Sequence, residues 1–527
     1  MKENMSWRKY IPALLYVLLL FGCLIVVVLV GKFAGHKGEE ETSAFREETS
    51  SKALEQEEES SEEQTETEWD REEVSSEEDI SLDQGKDAWS GGRDMDSEAL
   101  PEDGTEEEPY VPPAVMLVSD LHYISPNTHD DGAAFWKMVS EDDGKISQYS
   151  QSLIDTLTEE AIKNRPSALV LTGDITLNGE KKNHLELAEG LRRVTGEGIL
   201  VLVIPGNHDI KNKNAAEYFG DQRAETEYLE TAQDFEEIYH EFGYDQAFSR
   251  DVHSLSYVVA LDDFHWMMML DTCQYEDRNH VDGRLKDETL IWMEDVLVQA
   301  KEQGIQVLPV GHHNLLSESR LYIIECTMKN HQEIIQVFEK YELPLYISGH
   351  LHAQRIKKHK AEPGVDDDAY GVSEIVLPPY SIPPCQYGQV KWGEDGSMIF
   401  DTRKADVEAW ARGQGCEDIN LLQFDKYGAE FMKDVIEEQV KKTFGTIPEN
   451  LKDEMAALYS ELYFDYCAGN RMNWDHVRTT KAYRLWERLA PDNRYVKNMS
   501  QMIEDVKQDL HDWKWTKGDL PGHKGRQ

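Results

Sequence analysis

Five short motifs in this chain place carboxylates, a carboxamide and imidazoles in an order suited to holding divalent metal. They are Asp120-x-His122, Gly173-Asp174, Gly206-Asn207-His208-Asp209, Gly311-His312-His313 and Gly349-His350-x-His352. Such oxygen and nitrogen donors suit Mn, Fe and Zn, and no thiolate appears in any motif. Two ions about 3.5–4 Å apart clamp the attacking and leaving sides of an in-line displacement at phosphorus. A carboxylate touching both ions holds that spacing. The pair also lowers the pKa of a shared water, so hydroxide becomes available near neutral pH.

The elements that must position these residues are legible around them. Four motifs follow short apolar runs, at 115–118, 169–171, 199–204 and 307–310. The fifth follows 343–347, where Pro344 weakens the strand pattern. Each motif falls where a strand gives way to a loop, which is where sites collect in open α/β sheets. A lone Asp-x-His carries no weight, but unrelated surface histidines have no reason to follow buried strands in this order. His129, His184, His265 and His331 lack such support and read as structural.

Amphipathic helices are expected at 146–164, 180–195, 286–303 and 331–341, alternating with the strands, which argues for a layered α/β fold. Runs 255–261 and 265–270, joined by Asp262-Asp263, read as a hairpin. Met267-Met268-Met269 is then core strand, not a metal box. Segments 374–377, 387–392 and 397–401 read as antiparallel strands, the last two turning at 393–396. The stretch 213–242 reads as a helical insertion bearing Tyr218, Phe219, Tyr228, Phe235 and Tyr239. It is either packed structure or a lid offering aromatic surface to a leaving group. Beyond about 404 the alternation stops. Helices are expected at 429–444, 449–467, 477–489 and 499–513, with Pro448 starting the second.

The motif set resembles the calcineurin-like metallophosphoesterase superfamily over about 115–390. The resemblance implies a four-layer sandwich: two mixed sheets flanked by helices, with the metals at one edge. It implies that Asp120, His122 and His352 bind one ion, that Asn207, His312 and His350 bind the other, and that Asp174 bridges them. His208 would contact the phosphate and donate a proton to the leaving oxygen, with Asp209 orienting it. Asn207 would also face substrate; His313, next to the matched His312, would support that ligand from behind, face substrate, or be structural. Several relatives carry a polar residue three positions after the bridging Asp. Here that position is Leu177, and Asn178 is the nearest substitute. The helical appendix, the proline-rich 378–388 segment and His312-His313-Asn314-Leu315-Leu316 resemble bacterial cyclic nucleotide phosphodiesterases.

The envelope of the chain adds constraints. Residues 11–30 are twenty in a row without a charge, about the length that spans a bilayer core as a helix. Arg8 and Lys9 precede them, which favours the N-terminus inside. A cleaved signal peptide has a shorter apolar core and a small-residue cleavage site. A lipoprotein reading would use Cys23, but bulky Phe21 spoils that box. Residues 37–109 hold 29 Asp and Glu against 6 Lys and Arg, a net of −23. Such a segment buries too little apolar surface to offset ordering entropy and reads as a disordered, extended stalk. With a net charge of −48 for the whole chain, nucleic-acid polymers are poor substrates. The six cysteines form no close pairs, so no disulfide framework is expected.

The expected organisation is a cytoplasmic N-terminus (1–10), a membrane anchor (11–31), an acidic stalk (32–110), a catalytic domain (111–403), a helical domain (404–516) and a tail (517–527). The expected activity is hydrolysis of small phosphodiesters outside the cytoplasm, cyclic nucleotides among them, by hydroxide shared between two ions (Mn, Fe or Zn). A phosphomonoesterase or nucleotidase of the same fold is the alternative. The purple acid type uses a Tyr near the bridging Asp, and loop 175–179 has none. A catalytically dead envelope binding protein would show a broken motif, and none is broken.

Overall fold

The computed structural model describes residues 110–322, 325–360 and 371–517. The apolar 11–30 run, the 37–109 acidic stretch and the tail beyond residue 517 lie outside the described residues. Among the described residues, no helix is long and apolar enough to cross a membrane.

Strands β1 (Ala114–Val118), β2 (Ala168–Leu171) and β3 (Leu200–Val203) are parallel neighbours. Their residues are almost wholly buried, the continuous apolar run that a parallel sheet covered on both faces requires. A short hairpin, β4 (Ala216–Phe219) and β5 (Gln222–Glu225), follows. The second sheet begins with β6 (Ser249–Arg250), β7 (Tyr257–Ala260) and β8 (His265–Met269). It continues with β9 (Gln306–Val310), β10 (Leu345–Ser348), β11 (Arg355–Lys358) and β12 (Ser373–Val376). Strands β13 (Gln386–Trp392), β14 (Met398–Lys404) and β15 (Asp512–Trp515) return to the first sheet. The orders are β15-β14-β13-β1-β2-β3 and β11-β12-β10-β9-β8-β7-β6.

Alternation along β8 shows how the sheets are covered. Met267 and Met269 join the cluster shared with β1–β3, while Trp266 and Met268 pack with Met293, Val296 and Phe338 of helices Asp287–Gln303 and His331–Lys340. Helices Ser150–Asn164 and Lys181–Thr195 pack on the first sheet through Leu153, Leu157, Leu187 and Leu191.

Three expectations need correction. Segment 213–242 is not mainly helical: it forms the β4–β5 hairpin and one short helix, Ala232–Tyr239. Tyr218, Phe235 and Tyr239 are buried, so much of the insertion is packed structure. Strand β12 is not antiparallel to β13 and β14. It lies in the other sheet, parallel to β10 and antiparallel to β11. The last helix spans Arg494–Asp505, and 512–515 is instead the edge strand β15, pairing with β14. Alternation in Asp512-Trp513-Lys514-Trp515 puts Trp515 against the core.

The C-terminal helices centre on Phe424–Lys442 and Glu449–Ala468, with Trp486 fully buried beside them. Gly469 ends the second of these in the left-handed conformation (φ 75°), and its N–H caps the Asp465 and Tyr466 carbonyls. The next carbonyl, of Cys467, accepts from the Gln354 N–H of the catalytic domain at 2.9 Å. A helix end that would otherwise leave carbonyls unsatisfied thereby docks onto the loop after His352.

Candidate metal centre

The carboxyl ends of β1, β2 and β3 in one sheet meet those of β9 and β10 in the other, and every motif residue lies on the loops leaving them. Two clusters result. Asp120, His122, Asp174 and His352 form one, and His312, His313 and His350 the other. Asp120, His122, Asp174, His350 and His352 all have φ between 43° and 66°. Non-glycine residues rarely adopt that left-handed region, and such strain gathers where surrounding structure fixes a functional geometry.

Glycines make room for this approach. A Cβ on Gly349 would fall 1.8 Å from Ser119 Oγ and 2.8 Å from Asp120 Oδ2. Gly349→Ala should therefore push the β10 loop off the β1 loop and cost about 1–3 kcal/mol by overpacking. Metal content of the purified protein is expected to fall, with partial recovery when Ser119→Gly removes the main clash. A Gly349→Ala protein with full metal content would show that the loops separate freely.

Asp174 stands between the clusters. Its Oδ2 is 3.2 Å from His312 Nε2 and 4.0 Å from His122 Nε2, while Oδ1 accepts from the His208 N–H at 2.7 Å. Asp120 accepts from the His350 N–H at 3.2 Å and faces His352 Nε2 at 3.4 Å. Asn207 Oδ1 lies 3.3 Å from His312 Nε2.

The outer ring nitrogens fix the tautomers. His312 Nδ1 donates to the Thr172 carbonyl at 3.0 Å, His350 Nε2 to the Glu325 carbonyl at 3.1 Å, and His352 Nδ1 to Asp143 at 2.6 Å. With those outer nitrogens committed, the inner ones are the atoms that can present lone pairs to a cation. His312 Nε2 faces only the oxygens of Asp174 and Asn207, His350 Nδ1 is buried without a partner, and the Nε2 atoms of His122 and His352 face each other at 2.9 Å. Converging ring nitrogens and carboxylates repel one another unless protons or cations lie among them, so the donor set fits divalent metal.

The electrostatics agree. Burial works to raise the Asp174 carboxyl, yet the His312 and His208 imidazoles hold it well below its ordinary range. Burial likewise opposes ionisation of Asp120, which His352 nevertheless holds low. Burial, and then the neighbouring His312, push His350 down to about 3. Burial would lower His312 too, but Asp174 and then Asp120 push it up to about 9. The two carboxylates stay charged and await positive charge.

Two expectations about neighbouring residues fail. Asp209 does not orient His208. Its fully buried carboxylate accepts from the Gly206 N–H, the Ile175 and Thr176 N–H groups and the Thr176 hydroxyl, tying the β2 and β3 loops together. Burial and the Asp174 charge push its pKa up to about 6. The partner of His208 is the Leu177 carbonyl, 2.7 Å from Nδ1. His313 does not face substrate either. It is fully buried, and its ring bonds Thr272 Oγ1 at 2.8 Å and the Val281 carbonyl at 2.9 Å.

A cleft of about 420 Å³ opens beside His122 and His208, lined by Met138, Leu177, Asn178, Tyr218 and Arg223 among others. A larger hollow of about 850 Å³ lies around Thr231, His240 and Lys286, and no residue of either cluster lines it. The smaller cleft is the one that opens on the chemistry.

Residues 113–354 match the family model described as calcineurin-like phosphoesterase. This segment is a calcineurin-like phosphoesterase domain. Residues 406–509 match the C-terminal domain of cyclic nucleotide phosphodiesterase. The phosphoesterase domain makes the chain a metal-dependent phosphoester hydrolase. A search of curated proteins gave no match. Solved structures similar to the chain include a dimetal phosphatase from Danio rerio, at 15% identity and TM-score 0.39, covering 56% of this chain and 97% of that one. A purple acid phosphatase from yellow lupin seeds aligns at 12% identity and TM-score 0.38, covering 56% of this chain and 51% of its own.

Proposed function

We propose that this chain hydrolyses small phosphodiesters, cyclic nucleotides among them, at a centre of two divalent ions, outside a membrane to which its first residues anchor it. The observation that carries the two-ion reading is the position of Asp174 Oδ2, within 4.0 Å of imidazole nitrogens on both sides. Asp120, His122 and His352 would hold one ion with Asp174, and Asn207, His312 and His350 the other. Mn, Fe and Zn all suit these donors. The ions would supply Lewis acidity toward the phosphoryl oxygens and a water acidified to near neutrality.

The protein's own groups then divide the work. The Leu177 carbonyl holds the proton of His208 on Nδ1, so Nε2 is the atom free to meet the phosphate or the leaving oxygen. The cleft beside it, walled by Met138, Leu177 and Tyr218 with Arg223 at its edge, suits the organic group of a diester. Preference for a cyclic nucleotide is supported by the match of residues 406–509. A panel of cyclic nucleotides, aryl diesters and monoesters with Mn²⁺ tests the reading. Diesters should be turned over faster than monoesters, and a strict monoesterase would overturn the diester assignment.

The anchor reading rests on the uncharged 11–30 run behind Arg8 and Lys9. Protease added to intact, wall-stripped cells should cut within 37–109 and release an active fragment. Protection until the membrane is permeabilised would reverse the orientation and make cytosolic nucleotides the leading substrates.

A further inference from the structure

We infer that Asp143 is a positioning residue for His352, and that the C-terminal helical domain holds this pair in place, thereby setting the affinity of one of the two ions. The inference rests on the two-ion reading above. Asp143 belongs to none of the five motifs. It lies just beyond helix Ala133–Glu141, on a turn far in sequence from His352.

The geometry is specific. Asp143 Oδ2 accepts from His352 Nδ1 at 2.6 Å, and its Oδ1 accepts from Lys145 Nζ at 2.6 Å. Lys145 also donates to Asp142 Oδ1 at 2.8 Å and is itself buried. The Asp143 carboxylate is therefore fixed from both sides. Its bond keeps the His352 proton on Nδ1 and points the Nε2 lone pair at Asp120 and His122. The outer nitrogens of His312 and His350 meet backbone carbonyls instead. A carboxylate in that position makes the imidazole a more basic ligand and fixes its orientation.

The helical domain grips both ends of this bond. From helix Phe424–Lys442, Gln439 Nε2 donates to the Asp142 carbonyl at 2.8 Å and to the Ser140 carbonyl at 3.2 Å. Met432 of the same helix packs against Gly144, where an added Cβ would come within 2.8 Å of Met432 Cγ. From helix Glu449–Ala468, the Cys467 carbonyl holds the Gln354 N–H, two residues past His352. Arg355 donates to the Tyr466 carbonyl at 3.2 Å, and its guanidinium lies 3.9 Å from the centre of the Tyr466 ring. One domain thus fixes the turn that bears Asp143 and the loop that bears His352.

The test is a calorimetric Mn²⁺ titration of the full chain, with paramagnetic resonance to separate single from paired ions. Asp143→Asn should weaken one ion ~10–100-fold, leave the other within about threefold and lose the signature of the pair. Asp142→Asn shares Lys145 but not His352, and should keep both affinities within about threefold. Gln439→Ala should weaken the same ion as Asp143→Asn, by less. Melting of the metal-free Asp143→Asn and Asp142→Asn proteins should fall alike, since each takes one carboxylate from the buried Lys145. Wild-type affinity for both ions in Asp143→Asn, or an equal loss in Asp142→Asn, would overturn the role of Asp143. An unchanged Gln439→Ala protein would remove the helical domain from it. Fewer than two ions in the wild-type chain would count against the two-ion reading alone, and Asp143 would still be judged on whichever ion binds.

Discussion

Asp174→Asn is expected to leave a folded protein that holds neither ion tightly and turns over almost no substrate. The substitution is nearly isosteric. The retained amide oxygen can still accept from the His208 N–H, now 2.7 Å from Oδ1, and the new NH₂ can donate to the His312 Nε2 lone pair, 3.2 Å from Oδ2. What disappears is the charge that faces His122 and His312 together. Losing about 4 kcal/mol of stabilisation from such a centre corresponds to ~10³-fold in rate. The metal-free protein should melt somewhat lower than wild type, because the carboxylate it loses is the charge partner of the His312 imidazole, whereas added Mn²⁺ should raise the melting of wild type alone. Metal analysis and melting with and without Mn²⁺ read both effects. An active Asp174→Asn protein with two tightly held ions would refute the bridging role.

Much of this centre was legible in the sequence for a physical reason. Parallel strands buried on both faces must be short, continuous apolar runs, and the loops at their carboxyl ends must carry any site. Val115–Val118 and its counterparts before Asp174, Asn207 and His312 therefore mark positions in space as well as in sequence. Elements whose partners are backbone or distant leave no such trace. Leu177 holds His208 through its carbonyl, which any residue could supply, so nothing in the side chain announces it. Asp143 meets His352 only through the tertiary fold. The hairpin was readable, since Gly220-Asp221 is a two-residue loop of the kind that joins antiparallel strands, but its aromatics suggested a helix. Strand β15 was masked because Trp513 continues the helical spacing of Met499, Met502, Val506 and Leu510, and only the edge of β14 decides that 512–515 pairs as a strand.

The consequence for Asp209 follows the same logic. Adjacent to His208 in sequence, it turns its carboxylate into the β2 and β3 loops instead. Its variants should therefore disturb both loops, Asp174 included, rather than proton transfer alone.

His208→Ala is expected to separate binding from rate. The His208 ring is no member of either metal cluster, and the N–H that holds Asp174 belongs to the backbone, which alanine retains. Both ions should stay. The lost group is Nε2, the atom left facing the cleft once Nδ1 is committed to Leu177. Donating a proton to the leaving oxygen is worth ~10²–10⁴-fold, and that is the expected fall in turnover for a cyclic nucleotide or an alkyl diester. A nitrophenolate leaves without help, so the loss on an aryl diester should be far smaller. Rates plotted against leaving-group pKa should be steeper for His208→Ala than for wild type. Parallel lines would deny the proton transfer and leave His208 with phosphate positioning only, while loss of metal would show that the ring supports the centre itself.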